Sequence, residues 1–485
     1  MQAMKQLIRK PLLLAVLLSL PLWVVFNNYI VAITVALLCG FLASMCHTLY
    51  LLRRGSPPAT PATAPETPAT PETPAMPVAS SDSYTATAPA TTMQDPSTLL
   101  PTGLPAPDAA TAEHSLTVAQ YLAKQIQASE SGFMPFEQWM HLALYAPGLG
   151  YYAAGSTKFG HSLPTGDFTT APELTPLFGQ TLARQVAQVL RESNSTSILE
   201  FGAGSGALAA AIIPALRGLG IEPEYQILEV SADLRARQAL RLAEFGAGVQ
   251  WLDTLPEQFS GCILANEVLD AMPASLFCWD ENESVMEIGV RTEGADALPT
   301  FALAQRKAGP SLQAAVAARM PPLPGYQSEI NLQAESWIRQ MGSWLTQGAA
   351  ILIDYGFPQR EYYHPQRATG TLMCHFRHHS HGQPLIYPGV QDITTHVDFT
   401  AMADAALDAG LDVMGYTSQA RFLMNAGLAE LLAQQDMAEN RATLSAMQKL
   451  VSEAEMGELF KALVIGRGIN TPLIGFSRGD RRDRL

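Results

Sequence analysis

The stretch SILEFGAGSGA, Ser197 to Ala207, decides how the chain folds. Its first five residues are apolar apart from Ser197 and Glu200, which suits a short buried strand, and they run straight into Gly202, Gly204 and Gly206. A glycine-rich turn between a strand and a helix lets the backbone approach a ligand closely and aims helix N-terminal N–H groups at it. Ala207 to Leu216 continues as an apolar helix, and Tyr225 to Glu229 reads as the next strand. That strand ends in an acid, Glu229, which at this distance from the turn is placed to accept both ribose hydroxyls of an adenosine moiety.

Taken alone, Gly202-x-Gly204-x-x-Ala207 also fits a dinucleotide fingerprint, so a nicotinamide cofactor and S-adenosylmethionine both remain open at this point. The neighbouring residues favour the second. Glu200 stands beside the turn, where it would meet the amino-acid end of S-adenosylmethionine, and no charge nearby is directed at a pyrophosphate. A third strand, Val249 to Leu252, ends at Asp253, a candidate for the adenine edge. A fourth, Gly261 to Ala265, runs into Asn266, Glu267 and, after two apolar residues, Asp270. Polar residues at successive strand ends fit ligand binding beyond the carboxyl ends of a parallel sheet.

Further out, helices are expected over Leu116–Ser129, from Met134 to a stop at Pro147-Gly148, and over Pro176–Arg191. Leu276–Trp279 and Val285–Val290 read as an inserted hairpin. Then come a helix over Leu332–Leu345, a buried strand over Ala350–Tyr355, a helix up to Ala409, a strand over Leu411–Tyr416, helices between Ala420 and Met456, and a last strand over Lys461–Gly466. Alternating strands and helices of this kind make an α/β protein with a Rossmann-like, doubly wound sheet carrying helical and β insertions.

The whole chain has 485 residues, 48% of them hydrophobic and only 15% charged, with a formal charge of −14. That charge argues against nucleic acid as the main partner, since phosphate binding needs a dense basic surface. Cys39, Cys46, Cys262, Cys278 and Cys374 form no CxxC pair and are odd in number, which speaks against a disulfide framework or a zinc knuckle and for a reducing compartment.

Two further segments precede the folded body, which is expected over residues 113–485. Residues 1–54 hold two apolar runs, Leu12 to Phe26 and Tyr29 to Leu52, separated by Asn27-Asn28. Lys5, Arg9 and Lys10 lie before them and Arg53 and Arg54 after, so the expectation is a two-helix hairpin with both flanks cytoplasmic. A single tilted helix and a cleaved signal peptide are the competing readings, the latter opposed by the lack of a small-residue cleavage site. Residues 55–112 are rich in Pro, Ala and Thr, with almost nothing to bury, and read as an extended disordered linker. The expected location is therefore an inner membrane, with the catalytic body on its cytoplasmic side.

Longer blocks add a resemblance. ALYAPGLGYY (Ala143–Tyr152), GDFTTAPEL (Gly166–Leu174), LEFGAGSGAL (Leu199–Leu208), ILEVSADLRARQ (Ile227–Gln238), ANEVLDAMP (Ala265–Pro273) and DYGFP (Asp354–Pro358) resemble the MidA-like methyltransferases, a group related to a mitochondrial complex I assembly factor. The resemblance runs from about Leu116 to the C-terminus. It implies a class I methyltransferase fold, S-adenosylmethionine as cofactor and, for the mitochondrial member, dimethylation of an arginine on a respiratory complex I subunit. A protein substrate is the partner it implies here. Ala203 stands where Pro is common in the family turn, and the N-terminal segment and linker lie outside the family pattern.

Several roles follow as expectations. Glu200, Gly202, Gly204, Gly206, Glu229 and Asp253 would bind the cofactor, with Asp167 and Thr169 of the Gly-rich loop covering it. Asn266, Glu267 and Asp270 follow the fourth strand, where the methyl group should lie, and are the catalytic candidates; a plain helix N-cap is the alternative there. His375, His378, His379 and His381 lack metal-ligand spacing, so no metal is expected. An assembly scaffold that binds S-adenosylmethionine without turnover, and a nicotinamide-dependent oxidoreductase, are the rival functions.

Overall fold

The computed structural model describes residues 101, 103–154, 170–295, 298–434 and 441–485. The expected membrane segment, most of the linker, and Asp167 and Thr169 lie outside the described residues. Among the described residues no helix is long and apolar enough to cross a membrane. Helical structure begins at Ala109 rather than Glu113, because Asp108 accepts the Thr111 N–H at 3.0 Å and caps a helix that runs to Ala128. The last residues assigned to the linker by composition therefore belong to the folded body.

Eight strands make the central sheet; seven form its main path, β1 (Ser197–Phe201), β2 (Glu224–Leu228), β3 (Val249–Leu252), β4 (Phe259–Asn266), β5 (Leu345–Phe357), β6 (Asp412–Ser418) and β7 (Phe460–Arg467), and Val397–Asp398 pairs in parallel with the end of β5. The spatial order of the main path is β3-β2-β1-β4-β5-β7-β6. The pairs from β3 through to β5 are parallel, and β7 runs antiparallel to both β5 and β6. The order reverses beside β1, so the carboxyl ends of β1 and β4 flank a topological switch point, the usual place for a ligand.

Alternation along the strands explains why both faces are covered. Ile198, Cys262, Leu264, Ile351, Ile353 and Val464 pack on one side with the helices Pro176–Glu192 and Ala207–Gly218. Leu199, Phe201, Ile263, Leu352, Leu463 and Ile465 pack on the other with Leu332–Trp344 and Phe399–Asp408. With a side-chain period of two, such strands read as continuous apolar runs.

Two insertions complete the body. Between β4 and β5, the expected hairpin forms from Ser275–Trp279 and Val285–Ala295 and grows into an antiparallel sheet with Leu298–Lys307, Gln327–Ile330 and Met134–Pro135. After β5, Met373–Phe376, His379–His381 and Asp392–Thr394 make a separate three-stranded sheet.

Candidate active site

A cavity of about 880 Å³ opens at the carboxyl ends of β1, β2 and β4. The strand ends form one wall. Tyr145 and Tyr152 from the N-terminal part, and Met373, His375 and Asp392 from the three-stranded sheet, contribute others.

The glycine turn lines it as its backbone requires. Gly202, Gly204 and Gly206 have φ of 61°, 54° and 80°, the left-handed region that glycine enters without steric cost. Gly202 and Gly204 face the cavity, and a Cβ on Gly202 would come within 3.1 Å of Val268 Cγ2. Gly206 is not a lining residue; it starts the helix Ala207–Gly218.

Glu229 and Glu200 both reach the cavity. Glu229 accepts the Ser231 N–H at 2.9 Å and the Gln238 Nε2 at 3.1 Å. Burial raises its carboxyl above the ordinary range. Gln238 was not singled out from sequence, yet it ties the site together: its Nε2 also donates to the Gly204 carbonyl at 2.9 Å, and its Oε1 accepts from Trp251 at 2.9 Å. Glu200 accepts the Tyr225 hydroxyl at 2.8 Å, and burial, with the charge of Glu229 adding, pushes its carboxyl up to about 8. Asp253 is placed differently. Its side chain is 83% exposed and pairs with Arg235 at 2.6 Å on the surface, and it does not line the cavity.

Asn266, Glu267 and Asp270 are brought together on the far side of the turn. Glu267 is a non-glycine residue at φ 53°, an uncommon conformation that persists only where surroundings hold it. Asp354 at the end of β5 does the holding: its Oδ2 accepts the N–H groups of Val268, Leu269 and Asp270 at 3.2, 3.0 and 3.2 Å. The Glu267 carboxylate accepts from Asn266 at 3.0 Å and from the Ala171 N–H at 3.3 Å. Burial, then the charge of Asp270, pushes it up to about 8. Asp270 accepts the Tyr355 hydroxyl; burial raises both its carboxyl and that of Asp354. Asp354 carried a sequence signal, an acid ending the fifth strand, that had not been given a role.

Of the four histidines weighed as metal ligands, only His375 lines the cavity, and no group of three or more potential ligands exists among the described residues. His396 lies between the rings of Tyr355 and Phe357, and burial pushes its imidazole down to about 4, so it is neutral at pH 7.

A family model for S-adenosyl-L-methionine-dependent methyltransferases matches residues 181–417. A crystal structure of a methyl transferase candidate from Burkholderia thailandensis, bound to S-adenosyl-homocysteine, is 46% identical, with a TM-score of 0.74 over 79% of this chain and 100% of that one. The chain belongs to the MidA-like family of S-adenosylmethionine-dependent methyltransferases. The fold is the one the family implies, and its cofactor is S-adenosylmethionine. More distant relatives are the protein arginine methyltransferase NDUFAF7 homolog of Drosophila melanogaster, 27% identical over 73% of this chain and 88% of its own length, and the mouse protein arginine methyltransferase NDUFAF7, 28% identical over 68% and 80%.

The residues present fit that cofactor. Glu229 offers two acceptor oxygens beside apolar Leu234 and Val230, and Glu200 offers a carboxylate by the turn. Oδ1 of Asn266 and Oδ1 of Asp270 are buried acceptors with no partner among the described residues. A buried unpaired acceptor costs free energy until a donor arrives, so this half of the cavity asks for a hydrogen-bond donor, preferably a cation.

Proposed function

We propose that this protein transfers methyl groups from S-adenosylmethionine to an arginine of a protein substrate, while tethered to a membrane by its N-terminal segment. One observation supports the arginine reading above others: beside the cofactor's acids the cavity is lined by Glu267 and Asp270, with Oδ1 of Asp270 and of Asn266 buried and unpartnered among the described residues, and by no Lys or Arg among the described residues. Such a site compensates cations.

When bound, S-adenosylmethionine supplies a methyl group on a positively charged sulfur, electrophilic without a metal. The chain has to position and activate the acceptor. A guanidinium is a poor nucleophile because its lone pair is delocalised and its pKa exceeds about 12. Glu267 and Asp270 are of the type that holds its fork of N–H donors, leaving one nitrogen aimed at the methyl, and Asn266 Oδ1 can accept a further bond. Bond formation at that nitrogen releases one proton. Glu267 is suited to take it, because its carboxyl is pushed up to about 8, close to the working pH. An arriving cation favours its ionised form, so binding prepares the base.

The fly and mouse relatives are named protein arginine methyltransferases, which agrees with an arginine acceptor. A respiratory-complex subunit as substrate rests on the family resemblance. The tether rests on the uncharged run Tyr29 to Leu52 with Arg53 and Arg54 behind it. The test is Glu267→Gln in the full chain. Unchanged S-adenosyl-homocysteine binding with transfer reduced at least a hundredfold supports the reading; unchanged transfer rejects it.

A further inference from the structure

We propose that Glu173 is a positioning residue: it pins the short helix Ala171–Leu174 between the glycine turn and Glu267, so that the cofactor end of the cavity sets the hydrogen bonding of the acceptor end. The inference rests on the part given to Glu267 above and adds a residue that governs it.

The helix begins with an N–H that needs a partner. Ala171 is fully buried, and its N–H stands in the first turn, where no carbonyl of the same helix can reach it. Thr170 supplies no side-chain cap. A buried N–H must then find its acceptor elsewhere. It finds Oε1 of Glu267, at 3.3 Å.

Two residues further on, Glu173 ties the same helix to the cofactor turn. Its Oε1 accepts from the Ser205 hydroxyl and from Nη1 of Arg241, the latter at 3.1 Å. Arg241 Nη1 also donates to Oγ of Ser205 at 2.6 Å, which closes a triangle of three side chains from three parts of the fold. Glu173 is the inner member of the ion pair, its side chain 16% exposed against 42% for Arg241. Thr170, Pro172, Glu173, Ser205 and Glu267 all line the cavity, so the helix is a piece of its wall. Ala171 and Glu173 are about 3 Å apart along the helix axis, a span too short to absorb a displacement. A shift at one end therefore reaches the other.

That link acts on the chemistry. The Ala171 N–H donates to a carboxylate and so favours its ionised form, against the burial that raises it. Glu267 must be ionised to hold a cation and take its proton. Releasing the helix at Glu173 withdraws the N–H and leaves Glu267 harder to ionise. Removing a negative charge close by would, by itself, make Glu267 easier to ionise, so the sign separates the two effects. A Glu173 that only stiffened the fold would leave the titration of Glu267 where it is.

The test is the ionisation midpoint of Glu267 in the full-length chain, with S-adenosyl-homocysteine at saturation. Infrared difference spectra read it from the carboxyl band that Glu267→Gln lacks. Glu173→Ala should raise the midpoint by about half a pH unit or more, the worth of one hydrogen bond. Ser205→Ala removes one partner of Glu173 without changing any charge, and should raise it by less. Tritiated S-adenosylmethionine and a random peptide library with a fixed central arginine give the second readout. Transfer by Glu173→Ala should fall about threefold at pH 7, the half-unit shift expressed as a ratio, and recover towards pH 9. A midpoint unmoved or lowered in Glu173→Ala overturns the inference; if that variant does not fold, an unmoved midpoint in Ser205→Ala does so. Unchanged transfer by Glu267→Gln, with the midpoints moving as stated, would sink the arginine reading alone and leave the link in place.

Discussion

The Tyr355 hydroxyl donates to Oδ2 of Asp270, joining the end of β5 to the segment that follows β4. Of the interactions on Asp270, this bond is the largest that favours its charged form against burial. Tyr355→Phe should therefore raise the Asp270 carboxyl further and move the acidic limb of the rate profile to higher pH. A hydrogen bond to a charged group contributes about 1.5–3 kcal/mol, so a shift near one pH unit or more is expected. Methyl-transfer rates of both proteins across pH 5.5–9 check it; superimposable profiles would deny Asp270 a part in the reaction.

Acceptor binding should itself depend on pH. Glu267 free of ligand is protonated below about 8 and ionised above it. The guanidinium needs the ionised form, so the apparent KM for the acceptor should climb as pH falls from 8 towards 6. In Glu267→Gln that climb should be absent from acceptor binding measured directly, because no proton competes at that position.

Glu200 offers a stability measurement. Its folded-state carboxyl is raised to about 8, whereas an unfolded glutamate titrates near its ordinary value of 4.5. Its stabilising contribution is therefore full below the unfolded value and is lost as pH rises through the folded one. The ligand-free protein should melt at lower temperature at pH 8 than at pH 6. Glu200→Gln can still accept the Tyr225 hydroxyl and should be more stable than the unaltered protein at pH 8 by roughly 1–3 kcal/mol. Thermal melts at the two pH values decide this.

For the cofactor end, Gly204→Val should abolish S-adenosyl-homocysteine binding. The φ of 54° there disfavours a β-branched residue, and the side chain would enter the cavity. Glu229→Ala should weaken binding by about 1.5–3 kcal/mol. Calorimetry reads both, and near-normal affinity in the glycine variant would contradict the assignment of the turn.

Much of this site was legible in the sequence because strands of a parallel sheet deliver their last residues to one edge. Ser197–Phe201 and Val249–Leu252 fall where apolar runs meet Gly202 and Asp253, and the residues after β4 cluster as their positions suggest. What escaped was contact between distant parts. Gln238 joins Gly204 to Glu229 only once its helix packs beside the turn. Asp392 sits in a three-residue strand, too short for alternation to show. Asp253 had the right address by strand order, but Arg235 on the helix before β3 pairs with its carboxylate outside the cavity.

The tether is checked by fractionating the full-length chain, which should remain with membranes after a high-salt wash. A reporter fused after Arg54 should signal on the cytoplasmic side.

The central claim is tested most directly by incubating the full-length protein with labelled S-adenosylmethionine and membranes from a strain lacking its gene, then locating the label by mass spectrometry. The account predicts label on arginine of a membrane-complex protein, absent when Glu267→Gln replaces the unaltered enzyme. Label confined to small molecules, or to lysine or carboxylate side chains, would contradict it.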